Sequence, residues 1–254
     1  MFFNKKSIGL VLGGGGARGF FHIGVIKAIQ ELKIKIDKIS GTSIGAVVGA
    51  MYAINPQIDL EKVIAELDYF AIIKTMAFGT KESSTHGVES LLRKYVSVEK
   101  FSDLKIPFCF NATDINQKKE VIFSHGSLFP GLLAAISIPG AFSPVKIGER
   151  FLVDGGVTNN IPISLIKDTT DLIVSDITGP IKKVDDKISA LDVLYSSVAL
   201  MQFNKGQEEI KKAKKQKITY LNLDDDQVFI FDFRKSNYQK LIELGYQAMM
   251  KKNI

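Results

Sequence analysis

The sequence predicts an α/β protein, a three-layer α/β/α sandwich with a mostly parallel central sheet. Three observations predict it. Short apolar runs alternate with stretches of helical periodicity along the chain. The first two runs each end in a glycine-rich turn that opens a helix, at residues 13–16 and 41–45. A later apolar run, Phe151-Leu152-Val153, ends on Asp154-Gly155-Gly156. Strands alternating with helices bury both faces of a sheet, which favours parallel pairing.

Residues 7–12 form the first strand, and Gly13-Gly14-Gly15-Gly16 separates it from a helix over 17–32, whose apolar residues include Phe21, Val25, Ala28, Ile29 and Leu32. A second strand over 36–40 runs into Gly41-Thr42-Ser43-Ile44-Gly45 and a small-residue helix over 46–53, which stops before Asn55-Pro56. Two surface helices are expected over 59–76 and 87–96. The polar segment 79–85 between them is the expected lid or access loop. Residues 106–114 and 120–124 read as a hairpin at the sheet edge, and a helix is expected over 128–137. The pattern then continues with a strand at 151–153, a buried strand at 172–176, a long helix over 189–215, a strand at 218–223 and a last helix over 236–251.

A chain of 254 residues, 46% hydrophobic and 24% charged, is long enough to bury a sizeable core. One domain over 1–254 is expected, with the motifs in about 7–180 and an extension over 181–254. Disorder and a disulfide scaffold are excluded, since the single cysteine, Cys109, has no internal partner and sits in the apolar segment Ile106-Pro107-Phe108-Cys109-Phe110. It reads as a buried structural thiol. No transmembrane helix is expected, because the longest uncharged stretch of the N-terminal half, residues 39–59, is broken by Ser, Thr, Gly, Asn and Pro. Lys5 and Lys6 before an apolar run imitate a signal peptide, but cleavage there would remove the glycine loop, so the run reads as strand. A cytoplasmic or peripheral-membrane location follows as the expectation.

The turn Gly41-Thr42-Ser43-Ile44-Gly45 carries the chemistry. A serine between flanking glycines, on a sharp strand-to-helix turn, presents its hydroxyl as a nucleophile. Such a hydroxyl needs a proton acceptor, and the usual order in α/β hydrolases is Ser, acid, His. The three histidines are His22, His86 and His125, and all precede Asp154. A Ser-Asp-His triad in that order is therefore excluded by counting. His22 and His125 read as structural. Asp154 remains as the base, at the end of an apolar strand. A carboxylate is a weak base for an alcohol, so it needs direct contact and desolvation. Successive glycines before a helix N-terminus offer backbone N–H groups to a developing oxyanion. Gly14, Gly15 and Gly16 supply them, and Arg18 adds a positive charge that calls for an anion or carboxylate partner.

Gly14-x-Gly16-x-Arg18-Gly19, Gly41-x-Ser43-x-Gly45 and Asp154-Gly155-Gly156 resemble the three ordered motifs of the patatin-like phospholipases. His22-Ile23-Gly24-Val25, Thr113-Asp114, Phe123-Ser124-His125-Gly126-Ser127, the segment from Ile138-Pro139-Gly140 to Pro144, and Asn159-Asn160-x-Pro162 agree with it. The resemblance covers residues 7–180. It implies a catalytic Ser43/Asp154 dyad, an oxyanion hole of Gly14, Gly15, Gly16 and Arg18, and supporting glycines at Gly19, Gly41, Gly45, Gly155 and Gly156. It further implies cleavage of fatty acyl esters of phospholipids or neutral lipids through an acyl-enzyme, with no metal and no cofactor. Asp224-Asp225-Asp226 lacks the spacing of a calcium loop. Leu133 and Ala135 stand where many members carry an arginine and a serine, which bears on substrate preference.

Two other function classes are weighed. Gly14-x-Gly16-x-x-Gly19 after a strand also fits a dinucleotide-binding fingerprint with Asp37 downstream, but Asp37 precedes the second strand rather than ending it. A lipid-binding module without catalysis is the other, disfavoured because every dyad and oxyanion position is filled. The net charge of +6 favours anionic surfaces. Nucleic acid is disfavoured, since no aromatic-basic recognition motif is present. The lysines of residues 205–217, after the apolar run 198–203, read either as a solvated helix face or as a patch for peripheral contact with an anionic membrane. Oligomeric state is left open.

Overall fold

The computed structural model describes residues 6–66, 89–90, 92–179, 190–224 and 234–252. Pleat alternation in its first strand sorts the core into two halves. In β1 (Ile8–Leu12), Leu10 and Leu12 join one apolar cluster, while Val11 points to another on the opposite face. All three are fully buried, each worth roughly 1.5–3 kcal/mol against exposure. The same alternation recurs where Phe108 and Phe110 face one way and Cys109 the other. A sheet apolar on both faces needs a helical layer on each side.

The first layer holds α1 (Phe20–Glu31), α2 (Ile44–Ile54), a short α3 (Leu60–Ala65), α4 (Phe129–Ala135) and the C-terminal α6 (Lys235–Met250). Helix α6 packs closely on α1, and a side chain at Gly24 or Gly245 would run into the other helix's backbone. The opposite face is covered by α5 (Ala190–Lys212) and a 3-10 turn at Ile163–Ile166. The second cluster, including Cys109, Ile161, Ile166 and Val174, lies beneath them. Cys109 is buried, and burial pushes its thiol up to about 12, as a structural cysteine requires.

The eight-stranded sheet runs β5-β6-β3-β2-β1-β7-β8, with β4 also paired to β3. The strands are β2 (Lys38–Thr42), β3 (Phe108–Asp114), β4 (Lys119–Phe123), β5 (Val145–Ile147), β6 (Arg150–Asp154), β7 (Asp171–Asp176) and β8 (Lys217–Asn222). Five of them, from β3 through β2, β1 and β7 to β8, are mutually parallel. The expected three-layer, mostly parallel architecture is therefore present.

Three expectations are corrected. The hairpin β3–β4 is not wholly at an edge, because β3 also pairs with β2 and β6. Strand β6 is antiparallel to β3, and β5, which the sequence did not signal, pairs with it. The first helix starts at Phe20 rather than residue 17, after a 3-10 turn at Gly16–Gly19. The expected access loop 79–85 and His86 lie outside the described residues, as does the expected helix 59–76 beyond residue 66. No helix among the described residues is long and apolar enough to cross a membrane.

Candidate active site

Strand β3 assembles the site by sharing one of its edges between two partners. β2 pairs with it from Phe108 to Asn111, and β6 pairs with it from Ala112 to Asp114. Strand β4 spans Phe110 to Asp114 and overlaps both, so it occupies the other edge. β2 and β6 therefore run toward each other along the same edge and meet at their C-terminal ends. Thr42 stands opposite Asn111, and Asp154 stands opposite the next residue, Ala112. Ser43 and Asp154 are each the first residue of the turn that leaves those ends.

Ser43 holds φ 54° and ψ −126°, a left-handed conformation costly for a residue with a side chain. The strain turns the hydroxyl out of the sheet just before α2 begins. A side chain at Gly41 would press on the Gly45 carbonyl, and one at Gly45 would overlap the Leu12 and Gly13 carbonyls. Only glycines on both sides let the turn close this tightly.

The Ser43 Oγ donates to Asp154 Oδ2 at 2.5 Å. The other carboxylate oxygen, Oδ1, accepts from the Gly156 amide at 2.7 Å. Asp154 is also fixed through its main chain, its N–H donating to the Ser137 carbonyl at 2.9 Å and its carbonyl accepting from Thr113 Oγ1 at 3.0 Å. Burial pushes the carboxyl up to about 6, while the bonds from Ser43 and Gly156 pull it back down. The group is thus more basic than a surface aspartate and still mostly ionised at neutral pH.

The glycine loop runs directly over the serine, since a side chain at Gly14 would come 3.2 Å from Ser43 Cβ. Two of its amides are committed. Gly13 N–H donates to the Ser175 carbonyl at 3.0 Å and Gly14 N–H to the Asn160 carbonyl at 3.1 Å. Among the described residues the amides of Gly15 and Gly16 have no such partner. This departs from the expectation for Gly14, whose amide is taken up in anchoring the loop. The Arg18 guanidinium donates to the Thr178 carbonyl, two residues beyond the end of β7. Gly19 lies against Ile44, leaving no room there for a side chain.

His22 ties the loop down. Its Nε2 lies 2.9 Å from the Gly13 carbonyl, which can only accept, so Nε2 carries the proton and Nδ1 accepts the Ser175 hydroxyl at 2.7 Å. Burial pushes His22 down to about 4, so it is neutral at physiological pH. It is structural, as its place on α1 predicted. His125 is exposed, and its Nδ1 lies 3.4 Å from Ser124 Oγ. Asp37 precedes β2 and accepts from the Ile8 amide at 2.9 Å, at the opposite end of that strand from Ser43. The geometry disfavours the dinucleotide alternative accordingly.

Asn111 and Gln202 were not singled out by the sequence, whereas Asn160 belongs to the segment Asn159-Asn160-x-Pro162 noted above. Asn111, fully buried on β3, donates through Nδ2 to Glu120 Oε1 at 2.8 Å and the Asn159 carbonyl at 2.9 Å, and its Oδ1 lies 2.8 Å from Thr42 Oγ1. Gln202 on α5 donates to the Gly156 carbonyl at 3.1 Å. Asn160 donates through Nδ2 to the Gly14 carbonyl at 3.0 Å and to Thr178 Oγ1 at 3.1 Å. The signal for Asn111 was available, since a polar residue in the middle of an apolar strand must find buried partners.

Residues 10–166 match the family model of the patatin-like phospholipases, more than half of the chain. The chain belongs to that family. Among curated patatin-like relatives, lysophospholipase NTE1 of Kluyveromyces lactis is 33% identical over 172 residues, which cover 63% of this chain and 12% of that one. An uncharacterized NTE family protein of Mycobacterium tuberculosis is 33% identical over 166 residues, covering 64% and 46%. The chain thus spans about a tenth to a half of the length of these relatives. Among solved structures, VipD from Legionella pneumophila superposes with a TM-score of 0.57 at 14% identity, over 97% of this chain and 66% of that one. That likeness is one of fold.

Proposed function

We propose that the protein is a lipid acyl hydrolase that cleaves fatty acyl esters through a Ser43 acyl-enzyme with Asp154 as general base. The 2.5 Å bond from a strained serine to a buried carboxylate made more basic by burial is the observation that carries this reading. Membership of the patatin-like family and the lysophospholipase relatives support lipid esters as the substrate class.

In the first step Ser43 Oγ attacks the ester carbonyl carbon while its proton passes to Asp154 Oδ2. The carbonyl oxygen takes up the negative charge, facing the open amides of Gly15 and Gly16. Collapse of the tetrahedral intermediate breaks the ester C–O bond, and Asp154 returns its proton to the departing alcohol. Water then attacks the acyl-Ser43 carbonyl, again giving a proton to Asp154. Release of the fatty acid returns that proton to Ser43. Gly156 holds Oδ1 throughout, which keeps Oδ2 aimed at the serine. Asn160 and His22 hold the glycine loop from either side.

A fluorophosphonate probe tests the reading. Covalent adduct mapped to Ser43, suppressed by phospholipid or lysophospholipid, is the expected result. Adduct at another residue would refute the assignment of the nucleophile.

A further inference from the structure

We infer that the outer face of α5 is the surface on which the protein seats against an anionic lipid bilayer, with the Asp154 turn at its border. This rests on the lipid-ester reading above, and deepens it by naming where the substrate phase meets the protein.

The two sides of α5 differ sharply. On the inner side Gln202 holds the Gly156 carbonyl at 3.1 Å, Gly206 lies against Ile161, and Glu209 accepts the Ser164 amide at 3.1 Å. Residues 193, 197, 200, 204, 208 and 211 follow one another at steps of three and four and form one outer stripe. In its first half Val193 and Leu200 stand on the stripe with the exposed Ser197 between them, and Leu194 and Met201 flank it; these four apolar side chains are 48%, 45%, 58% and 63% exposed, and Phe203 on the other flank is 37% exposed. These five are nearly half of the twelve exposed large apolar side chains among the described residues. Such a concentration on one helix marks an interaction surface rather than chance scatter.

The chemistry of the second half selects the occupant. Lys211 and Lys212 continue the stripe, and Lys214, Lys215 and Lys217 follow directly. Glu208 lies among them, at 3.5 Å from Lys205 and 3.9 Å from Lys212, so its charge is balanced locally and the lysine excess remains. A 23-residue helix is about 34 Å long, enough to lay an apolar half at the acyl boundary and a basic half against headgroups. Val157, three residues after Asp154, is a further exposed apolar side chain (53%) on the catalytic turn, whose Gly156 carbonyl α5 holds through Gln202.

The test compares the full chain with two double variants, Leu200→Gln/Met201→Gln and Lys211→Gln/Lys212→Gln. Each is measured for co-sedimentation with phosphatidylcholine vesicles containing none or 30% phosphatidylglycerol (about a third anionic lipid, as suits a surface-charge effect), and for hydrolysis of a water-soluble aryl ester. The parent is expected to prefer the anionic vesicles. The apolar variant should lose tenfold or more of its binding to either vesicle, about the loss from removing two buried side chains. The lysine variant should bind anionic vesicles about fivefold more weakly per lysine, a difference that vanishes in high salt. Both variants should keep soluble-ester turnover within about twofold, which shows that they fold. Parent binding that is absent, or unchanged in both variants, overturns the surface. Because sedimentation needs no catalysis, loss of the hydrolase reading alone would show as missing ester turnover with vesicle binding intact.

Discussion

Ser43 and Asp154 meet because β2 and β6 arrive from opposite directions at one edge of β3, Thr42 pairing with Asn111 and Asp154 with Ala112. An ordinary parallel sheet brings successive strand ends side by side; here two ends come face to face. The serine hydroxyl therefore needs only its own rotamer to reach Asp154 Oδ2 at 2.5 Å. No histidine has to be interposed, which agrees with a chain whose one described histidine near the site, His22, is engaged with Gly13 and Ser175.

The acidity of Asp154 sets the pH profile. A base must be ionised, and burial holds this carboxyl at about 6. With a soluble ester, kcat/KM should be flat above pH 7 and fall about tenfold per pH unit below 6. A profile flat down to pH 4.5 would exclude Asp154 as the base. Asp154→Asn should lower kcat at least a thousandfold at every pH, about 4 kcal/mol of lost transition-state stabilisation.

The same group leaves a signature on stability. Its folded-state value, about 6, lies above the ordinary aspartate value of 3.8 that it has in the unfolded chain. Between these two pH values the folded state binds more protons than the unfolded one, so stability falls as pH rises from about 4 to 6 and is level above. The cost at pH 7 is on the order of 3 kcal/mol relative to acid pH. Asp154→Asn removes this dependence. The difference in unfolding free energy between variant and parent should shift in the variant's favour by about 2 kcal/mol from pH 4.5 to 7.5, the part of the dependence that lies above pH 4.5, as read by urea denaturation at each pH. An equal difference at both pH values would mean that the carboxylate is not penalised by burial.

The parts of this site readable from sequence are those dictated locally. The tight turn brings Gly41 against the Gly45 carbonyl, four residues on, with no room for a side chain, and a short apolar run ending in Asp-Gly-Gly leaves an acid at a strand end. The strand order, the antiparallel turn of β6 and the insertion of β5 were not readable. They depend on pairings such as Thr113 with Val153, forty residues apart, that carry no local mark. The partners of Asn111, Asn160 and Gln202 were not readable for the same reason, since each lies far along the chain. Which glycine amides stay open was also a tertiary matter: Asn160 occupies Gly14 from 146 residues away.

Backbone strain at Ser43 is testable apart from catalysis. Ser43→Ala and Ser43→Gly both delete the hydroxyl and its bond to Asp154. Glycine alone is at ease at φ 54°. Ser43→Gly should therefore be more stable than Ser43→Ala by about 1 kcal/mol, with both inactive. A calorimetric comparison giving equal melting temperatures would argue that the turn stores no strain.

Asn160 separates holding the oxyanion loop from binding substrate. Its side chain donates to the Gly14 carbonyl at 3.0 Å and to Thr178 Oγ1 at 3.1 Å, while its own carbonyl accepts the Gly14 amide at 3.1 Å. Asn160→Ala keeps the last contact and deletes the first two, leaving the Gly14 carbonyl without that donor. The loop should loosen, and the amides of Gly15 and Gly16 would lose their preset aim at the oxyanion. Since those amides act on charge that appears only in the transition state, kcat should fall about ten- to a hundredfold with KM within about threefold. The fluorophosphonate labelling rate should fall in parallel, because its phosphoryl oxygen occupies the same place. The stability cost should be about 1–3 kcal/mol, that of unpaired buried polar groups. A variant that loses stability by this amount yet labels and turns over at the parent rate would show that the loop is held by Gly13, His22 and Ser175 alone.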